Sequence, residues 1–276
     1  MRFAINGFGR VGRTLLRVYA SREDARAKLT LAAINEIADA DTVVHLARYD
    51  SNYGRYPGEI ARSASSLVID QLSVPLSHVA DVAMLPWRQH QIDLVLECTG
   101  AFTDRVTAEQ HLQAGASRVL FSQPAESDVD ETIVYGVNSD ALSADMTVVS
   151  AASCTTNAVV PVLATLNRAV GIEAATITTI HSLMNDQPVL DAYHHTDLRK
   201  TRAASQSIIP VDTGLAVGIE RILPDLSGKL SAHALRVPTT KVSAIELTVA
   251  TDRVCTSEDV NTALRTAAEG ALAGVL

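Results

Sequence analysis

The 276-residue chain is poor in several features that would mark other classes of protein. Its three cysteines, Cys98, Cys154 and Cys255, are far apart and odd in number, so we expect neither a disulfide framework nor a metal site. The 23 basic residues are fewer than the 31 acidic ones and form no run, which argues against a nucleic-acid partner. No apolar stretch approaches the roughly 20 residues that a membrane span needs, so no membrane partner is expected.

The start of the chain also leaves no space for a targeting peptide, because a short apolar segment runs directly into a glycine motif. Apolar types make up 47 % of the chain and charged types 20 %, which is typical of soluble globular proteins. The length suits two domains. We therefore expect a cytoplasmic enzyme of two domains.

The first half of the chain has the pattern of a doubly wound α/β domain. Residues 2–5 predict a buried strand, a glycine turn and an amphipathic helix follow, and residues 29–35 predict a second strand. This order is a βαβ unit, which builds parallel sheets. Further elements are predicted as strands at 94–97, 119–122 and 148–150 and a helix at 107–114.

The second half has a different pattern, and we place the domain boundary between residues 152 and 153. A helix is predicted at 155–169, alternating strands at 176–180 and 243–250, and a final helix at 257–270 with Thr256 and Asp259 at the spacing of a capping box. Between the strands lies a long polar segment, 184–207, of the kind that is usually functional. Its adjacent His194 and His195 lack a metal-ligand pattern and are expected at the surface.

A Gly-x-Gly-x-x-Gly motif lies between the first strand and the first helix. Its glycines allow a tight turn and a close approach to a pyrophosphate, which the N-terminus of the helix attracts. Glu36, at the end of the second strand, is placed to accept a ribose 2′-hydroxyl and to repel a 2′-phosphate, which favours NAD over NADP. The predicted cofactor contacts in this region are Gly7, Phe8, Gly9, Arg10, Val11, Gly12 and Glu36.

Cys154 lies where the sheet pattern stops and a helix begins. The unpaired N–H groups of a helix N-terminus stabilise a thiolate and make it nucleophilic. His181 closes the alternating strand 27 residues later, where an imidazole could act as the base of an activated Cys–His pair. A buried packing role for Cys154 is the alternative, because spacing alone does not establish the contact.

Taken together these residues resemble the glyceraldehyde-3-phosphate dehydrogenase family along most of the chain. The matching segments are NGFGRVGR at 6–13, ECTG at 97–100, SCTTN at 153–157 and RVPT at 236–239. The resemblance implies a Rossmann-type doubly wound parallel sheet, an α+β catalytic domain with a mixed or antiparallel sheet, NAD as oxidant and a homotetramer. It makes Cys154 the nucleophile and His181 its activator, and it adds Thr99, Gly100 and Ser122 to the cofactor contacts.

Within the family, three segments resemble the branch that oxidises D-erythrose 4-phosphate in pyridoxal 5′-phosphate biosynthesis: IHSLMNDQ at 180–187, DAYH at 191–194 and TRAASQSIIPVDT at 201–213. The resemblance implies that a phosphorylated aldehyde is held near Cys154. The substrate contacts that it implies are Ser153, Thr155, Asp186, Lys200, Thr213, Gly214 and Arg236.

The chain departs from the family pattern in four places. Met184 occupies the position where glycolytic members carry a Thr hydroxyl near the substrate phosphate, and a thioether cannot donate a hydrogen bond. Glu36 replaces the usual Asp, and Lys200 stands where relatives often have Arg. Relatives also continue with another strand and a terminal helix beyond the position of Leu276, so the resemblance implies that this C-terminal part of the family fold is missing.

Two alternatives stay open at this point. A phosphorylating glyceraldehyde-3-phosphate dehydrogenase would share every step up to the thioester and then use phosphate instead of water. An inactive NAD-binding or interaction protein would keep the glycine motif without the chemistry of the thiol.

Overall fold

A computed structural model describes residues 1–194 and 197–276; the expectation for His195 lies outside the described residues. The contacts divide the chain into two compact units. The first comprises Met1–Ile133 and Asp140–Ser153, and the second comprises Val134–Ser139 and Cys154–Leu276. The short segment Val134–Ser139 therefore packs with the second unit, although it lies within the first half of the chain.

The first unit is an α/β structure in which strands and helices alternate. Its strands β1 and β2 are buried along almost their whole length, as expected for strands that are covered on both faces. The elements in chain order are β1 Arg2–Asn6, α1 Arg10–Ser21, α2 Glu23–Lys28, β2 Thr30–Asn35, α3 Ala40–Arg48, β3 Tyr49–Asp50, β4 Gly54–Arg55, β5 Ile60–Ser63, β6 Ser66–Ile69, β7 Leu72–Ser77, α4 Trp87–His90, β8 Leu94–Glu97, α5 Arg105–Gln113, β9 Arg118–Phe121, β10 Glu131–Thr132 and β11 Val148–Ser150.

Nine of these strands form one sheet in the order β10-β11-β9-β8-β1-β2-β7-β6-β5. All pairs from β10 to β7 are parallel, and β6 and β5 extend the sheet as an antiparallel meander. The strand order reverses between β1 and β8, and ligands of such sheets bind at the carboxyl ends of the strands beside that reversal. The predicted doubly wound parallel sheet is confirmed.

The meander β5 to β7 was not predicted from the sequence. Its strands are short, and the two tight turns that connect them contain Ala64 and Asp70 at positive φ, +28° and +53°. Hairpin turns of this kind usually carry glycine or asparagine, so the usual sequence signal was absent at Ala64. Neither turn contains the glycine that gives the strongest hairpin signal, so the meander was missed.

The second unit is built on a four-stranded mixed sheet. Its elements are α6 Cys154–Val170, β12 Ala174–His181, β13 Ile209–Val211, α7 Leu215–Ile222, β14 Leu230–Arg236, β15 Ala244–Ala250 and α8 Ser257–Glu269. The order is β13-β14-β12-β15, with β12 and β14 parallel and the two outer pairs antiparallel. The mixed sheet confirms the predicted class, while β13, β14 and α7 were not predicted.

The alternation of β12 separates a packed face from an exposed one. Ala175, Ile177 and Thr179 are buried, whereas Ala174 and Thr176 are exposed. The packed face continues toward His181 at the carboxyl end of the strand, which brings that side chain to the helical side of the sheet.

Three local predictions agree with the structure to within two residues at each boundary. The helix predicted at 155–169 is α6, the alternating segments are β12 and β15, and the predicted capping box at the start of α8 is present between Thr256 and Asp259. In the polar segment 184–207, the described residues contain one short 3-10 helix, Leu198–Thr201. None of the helices in the described part of the chain is long and apolar enough to cross a membrane.

Candidate active site

Cys154 is an exposed side chain at the first residue of α6. Two residues earlier, Ala152 has a φ of +59°, in the left-handed region that alanine rarely adopts. Such conformations persist where the structure around them holds them in place, and they cluster at functional positions. The N-terminus of the 17-residue helix α6 carries partial positive charge, which stabilises negative charge on the sulfur.

His181 lies at the end of β12 and contacts this sulfur. The distance between His181 Nε2 and Cys154 Sγ is 3.5 Å. The other ring nitrogen, Nδ1, lies 2.7 Å from the carbonyl oxygen of Ser182. Because a carbonyl oxygen can only accept, Nδ1 carries a proton, and Nε2 is the atom that takes the thiol proton or returns it. The structure thus brings the predicted nucleophile and its predicted activator together within one unit.

The contact changes the pKa of both groups. The hydrogen bond with His181 lowers the pKa of the Cys154 thiol, and the hydroxyl of Thr155, 4.0 Å from Sγ, acts in the same direction. The same hydrogen bond raises the pKa of His181. Desolvation opposes both shifts and is the smaller effect. Both shifts move the equilibrium of the pair toward the thiolate–imidazolium form, in which the cysteine is nucleophilic.

Arg236 lies beside His181, because the two residues are register partners at the carboxyl ends of β14 and β12. Its Nε is buried and has no hydrogen-bond partner among the described residues. Burial lowers the pKa of the guanidinium, and the charges of Asp186 and Cys154 oppose that shift. A buried guanidinium donor without an acceptor is costly unless a bound group supplies one. The position fits an anionic substituent of a ligand of Cys154.

The segment after β12 supplies further polar groups to this unit. Lys200 Nζ and Asp186 Oδ2 form a salt bridge of 3.0 Å, so these two predicted substrate residues pair with each other. Gln187, which was not predicted, is buried, and its Nε2 has no partner in the described chain. Its Oε1 accepts a hydrogen bond from the backbone N–H of Met184, at 3.4 Å. The side chain of Met184 itself is 40 % exposed.

The remaining predicted substrate residues lie in several separate parts of the fold. Thr213 Oγ1 accepts from the N–H of Leu215 at 3.2 Å, and Gly214 precedes the first turn of α7 without a side-chain cap. Thr155 is half-buried in the first turn of α6, and Ser153 is the last residue of the first unit. The structure therefore gathers Cys154, His181, Arg236 and Thr155, and it does not by itself assign contacts with a substrate to Ser153, Thr213 or Gly214.

A cleft of about 310 Å³ lies in the first unit at the carboxyl ends of β1, β2 and β8. At its edge the glycine turn leaves no space for side chains: a Cβ on Gly7 would lie 2.5 Å from Thr99 N, and one on Gly12 would lie 2.4 Å from Gly7 O. A Cβ on Gly9 would meet nothing within 4 Å, so the approach to the first turn of α1 is open. This is the arrangement that a pyrophosphate needs.

Glu36 lines the same cleft and is tied to the glycine turn. Its carboxylate accepts hydrogen bonds from the N–H of Phe8 at 2.7 Å and of Ala38 at 3.2 Å. These bonds leave oxygen lone pairs for a ribose hydroxyl while keeping a negative charge where a 2′-phosphate would lie. The cleft therefore fits NAD better than NADP.

Six predicted cofactor residues are not among those that line the cleft: Phe8, Arg10, Val11, Gly12, Gly100 and Ser122. Phe8 has a buried side chain and contributes its backbone, while Arg10 and Val11 are exposed on the first turn of α1. Gly100 has a positive φ, and the Ser122 hydroxyl donates to Gln123 at 2.9 Å. Several lining residues were not predicted, although they end strands or follow them and could have been identified by that position. They are Asn6, Asn35, Ile37, Val79, Ala80, Val82, Leu85, Cys98, Ala101 and Phe102.

Replacing His181 by Asn tests the Cys–His contact. Loss of the hydrogen bond should move the Cys154 pKa up toward its usual value, because the contact lowers that pKa in the native protein. The measurement is the rate of alkylation of Cys154 by iodoacetamide as a function of pH, and the variant should have its inflection at higher pH and react more slowly at neutral pH. His233→Asn, at an exposed position of β14, is the matched control. An unchanged pH profile in His181→Asn would contradict the contact.

Replacing Glu36 by Gln tests the choice of dinucleotide. The amide keeps an oxygen for the Phe8 N–H and removes the charge, so the ratio of NAD to NADP affinity should fall by about ten- to hundredfold, the equivalent of one charge-assisted hydrogen bond. The dissociation constants of both dinucleotides can be measured by calorimetry. Glu23→Gln, exposed on α2, should leave the ratio unchanged. A constant ratio in Glu36→Gln would remove Glu36 from the determinants of selectivity.

Comparison with protein families matches two models to separate parts of the chain. Residues 1–105 match the family model described as glyceraldehyde 3-phosphate dehydrogenase, NAD binding domain. Residues 153–276 match the model described as glyceraldehyde 3-phosphate dehydrogenase, C-terminal domain. The first match makes NAD the cofactor. The two models describe the two domains of one family, and the chain belongs to the glyceraldehyde 3-phosphate dehydrogenase family of oxidoreductases.

Proposed function

We propose that the protein oxidises D-erythrose 4-phosphate to 4-phospho-D-erythronate with NAD, a step of pyridoxal 5′-phosphate biosynthesis. The observation that carries the reaction class is the 3.5 Å contact of Cys154 with His181 beside the unpartnered Nε of Arg236. This arrangement offers a nucleophile for an aldehyde and a donor for a phosphate in one unit. The choice of erythrose 4-phosphate rests on the likeness of segments 180–187, 191–194 and 201–213 to that branch and on Met184.

The chemistry starts with the Cys154 thiolate, which adds to the aldehyde carbon. The carbonyl oxygen becomes the hydroxyl of a thiohemiacetal by taking the proton that His181 Nε2 holds. His181 Nε2 then removes that hydroxyl proton as the carbon loses its hydride, which leaves a thioester on Cys154. Bound NAD is the hydride acceptor. His181 Nε2 then releases this proton to solvent and becomes a base again. It takes a proton from a water molecule, which attacks the thioester; the carbon–sulfur bond breaks, the Cys154 thiolate and the protonated imidazole are restored, and the acid product loses its remaining proton to solvent.

Electrostatics in the second unit support the binding of the phosphate. Arg236 offers a planar fork that suits a phosphate, and its buried Nε is without an acceptor among the described residues. Lys200 adds charge, although its bond with Asp186 reduces what it can offer, and lysine binds as a point charge instead of a bidentate fork. The side chain of Met184 offers no hydrogen-bond donor, so the proposed phosphate site differs from one that relies on a Thr hydroxyl.

Two other candidate functions would require different properties of this site. A phosphorylating glyceraldehyde-3-phosphate dehydrogenase needs a second anion site, for the inorganic phosphate that attacks the thioester. An inactive NAD-binding or interaction protein needs no reactive thiol, so the lowered pKa of Cys154 argues against it. The first candidate is the nearer one, because it shares the thiohemiacetal and the thioester.

The deciding experiment compares the two aldehydes. Initial rates of NADH formation are measured with erythrose 4-phosphate and with glyceraldehyde 3-phosphate, each with and without inorganic phosphate. The proposal requires that erythrose 4-phosphate be the better substrate and that its oxidation proceed without phosphate. Faster, phosphate-dependent oxidation of glyceraldehyde 3-phosphate would replace it with the phosphorylating alternative. Absence of turnover with either aldehyde, together with unreactive Cys154, would favour the inactive alternative.

Assembly and location also form part of the proposal. Large apolar side chains are exposed in and beside the polar segment after β12, namely Val189, Leu190, Tyr193, Leu198 and Ile208. Apolar surface of this kind supports contact with other copies of the chain, and we propose the homotetramer that the family resemblance implies. The cytoplasm is the proposed location.

Restoring a Thr at position 184 tests the origin of substrate choice. Erythrose 4-phosphate has one carbon more than glyceraldehyde 3-phosphate, so the two phosphates lie at different distances from Cys154. A new hydroxyl donor that suits the shorter substrate should raise the kcat/KM of glyceraldehyde 3-phosphate relative to erythrose 4-phosphate by roughly ten- to hundredfold in Met184→Thr. Met184→Leu, which conserves volume without adding a donor, is the control. An unchanged ratio in Met184→Thr would mean that Met184 does not govern the selection.

A further inference from the structure

Glu97 is a carboxylate without any exposed surface at the end of β8. Two donors reach its Oε2: Asn6 Nδ2 at 2.6 Å and His111 Nε2 at 3.1 Å. Two more reach its Oε1, namely the N–H of Thr99 at 2.8 Å and the hydroxyl of the same residue. A buried charge is tolerated only when it is well paired, and here every neighbour of the carboxylate donates.

His111 is fixed as a donor by the only tryptophan of the chain. Trp87 Nε1 lies 2.9 Å from His111 Nδ1, and both side chains are fully buried. The indole nitrogen can only donate, so Nδ1 is an acceptor and the imidazole proton resides on Nε2, facing Glu97. Trp87 therefore fixes the tautomer of His111 through Nδ1, and the proton on Nε2 is donated to Glu97.

The carboxylate also determines the orientation of two buried amides. Because Glu97 can only accept, Asn6 must direct its Nδ2 toward it and keep Oδ1 for Asn35 Nδ2, at 2.8 Å. Asn35 in turn has its Oδ1 free to accept from the N–H of Val79 at 3.0 Å and from the hydroxyl of Ser77 at 2.8 Å. The hydrogen bonds thus run in one direction across the ends of β8, β1, β2 and β7.

Four residues that these bonds hold, Asn6, Asn35, Val79 and Thr99, line the dinucleotide cleft, whereas Glu97 and His111 do not. The backbone of Thr99 also packs closely against Gly7, because a Cβ on Gly7 would lie 2.5 Å from the nitrogen of Thr99. We propose that Glu97 is a positioning residue for NAD: it sets the orientation of the cleft amides and of the turn after β8, and His111 and Trp87 hold it in place. The proposal rests on the binding of NAD and not on the identity of the aldehyde.

Glu97→Gln is the direct test, because it changes one oxygen into an amide and conserves shape. In either orientation the new N–H₂ group faces a donor, and His111 cannot shift its proton while Nδ1 accepts from Trp87. We expect the dissociation constant of NAD, measured by calorimetry, to rise about tenfold or more. The KM for NAD should rise in proportion while kcat changes by about twofold or less, and the rate of Cys154 alkylation should be unchanged. Glu109→Gln, exposed on α5, is the matched control.

A second pair of variants keeps the proposal testable if Glu97→Gln does not fold. His111→Leu removes both hydrogen bonds of the imidazole, whereas His111→Gln can donate to Glu97 and accept from Trp87. His111 does not line the cleft, so it does not contact NAD directly, and its hydrogen bond with Glu97 connects it to residues that do line the cleft. We expect His111→Leu to weaken NAD binding about three- to tenfold and His111→Gln to retain it within about twofold.

Two results would overturn the proposal: wild-type NAD affinity in folded Glu97→Gln, or equal NAD affinities in the two His111 variants. Calorimetry with NAD requires no aldehyde. A failure to oxidise erythrose 4-phosphate would therefore leave this test intact, and wild-type affinity in Glu97→Gln would leave the proposed substrate untouched.

Discussion

The parallel pairing of strands is the constraint on which both sites depend. Parallel strands end at the same edge of a sheet, so the residues that terminate them become neighbours even when they are distant in sequence. In the first unit this brings Asn6, Asn35 and Glu97 together at the ends of β1, β2 and β8. In the second unit it places His181 beside Arg236 at the ends of β12 and β14. The functional groups of each unit are thus concentrated at one sheet edge.

The charged groups at the two sheet edges differ in whether their hydrogen bonds are satisfied. The carboxylate of Glu97 is completely buried, and each neighbour donates to it, so it can act as a fixed point of the structure. In the second unit, Arg236 keeps an unpartnered Nε among the described residues, and the Cys154 thiol is exposed. Satisfied groups make a rigid support, and unsatisfied groups keep affinity available for a ligand. This contrast is consistent with a positioning network in the cofactor domain and a reactive centre in the catalytic one.

The reactivity of Cys154 depends on two elements that contribute separately. The helix α6 provides a favourable N-terminus for a thiolate, and the strand β12 provides the imidazole that shares its proton. The shifts of the two pKa values, down for the thiol and up for the imidazole, share their largest cause, which is the mutual hydrogen bond. Arg236, whose charge opposes protonation of His181, limits the shift of the imidazole, so a bound anion would favour the charged pair.

The sequence by itself determined the local features of the fold, which depend on residues that are close together in the chain. The glycine turn after β1, the capping box of α8 and the start of α6 at Cys154 follow from local steric and hydrogen-bonding preferences, which a short segment expresses on its own. Only the tertiary structure decided which distant residues meet. The contact of Cys154 with His181, the register of His181 with Arg236, and the bonds of Glu97 with Asn6 and His111 join separate elements of a unit. Strand pairing and side-chain packing fix such contacts, and these are properties of the assembled sheet that no local pattern encodes.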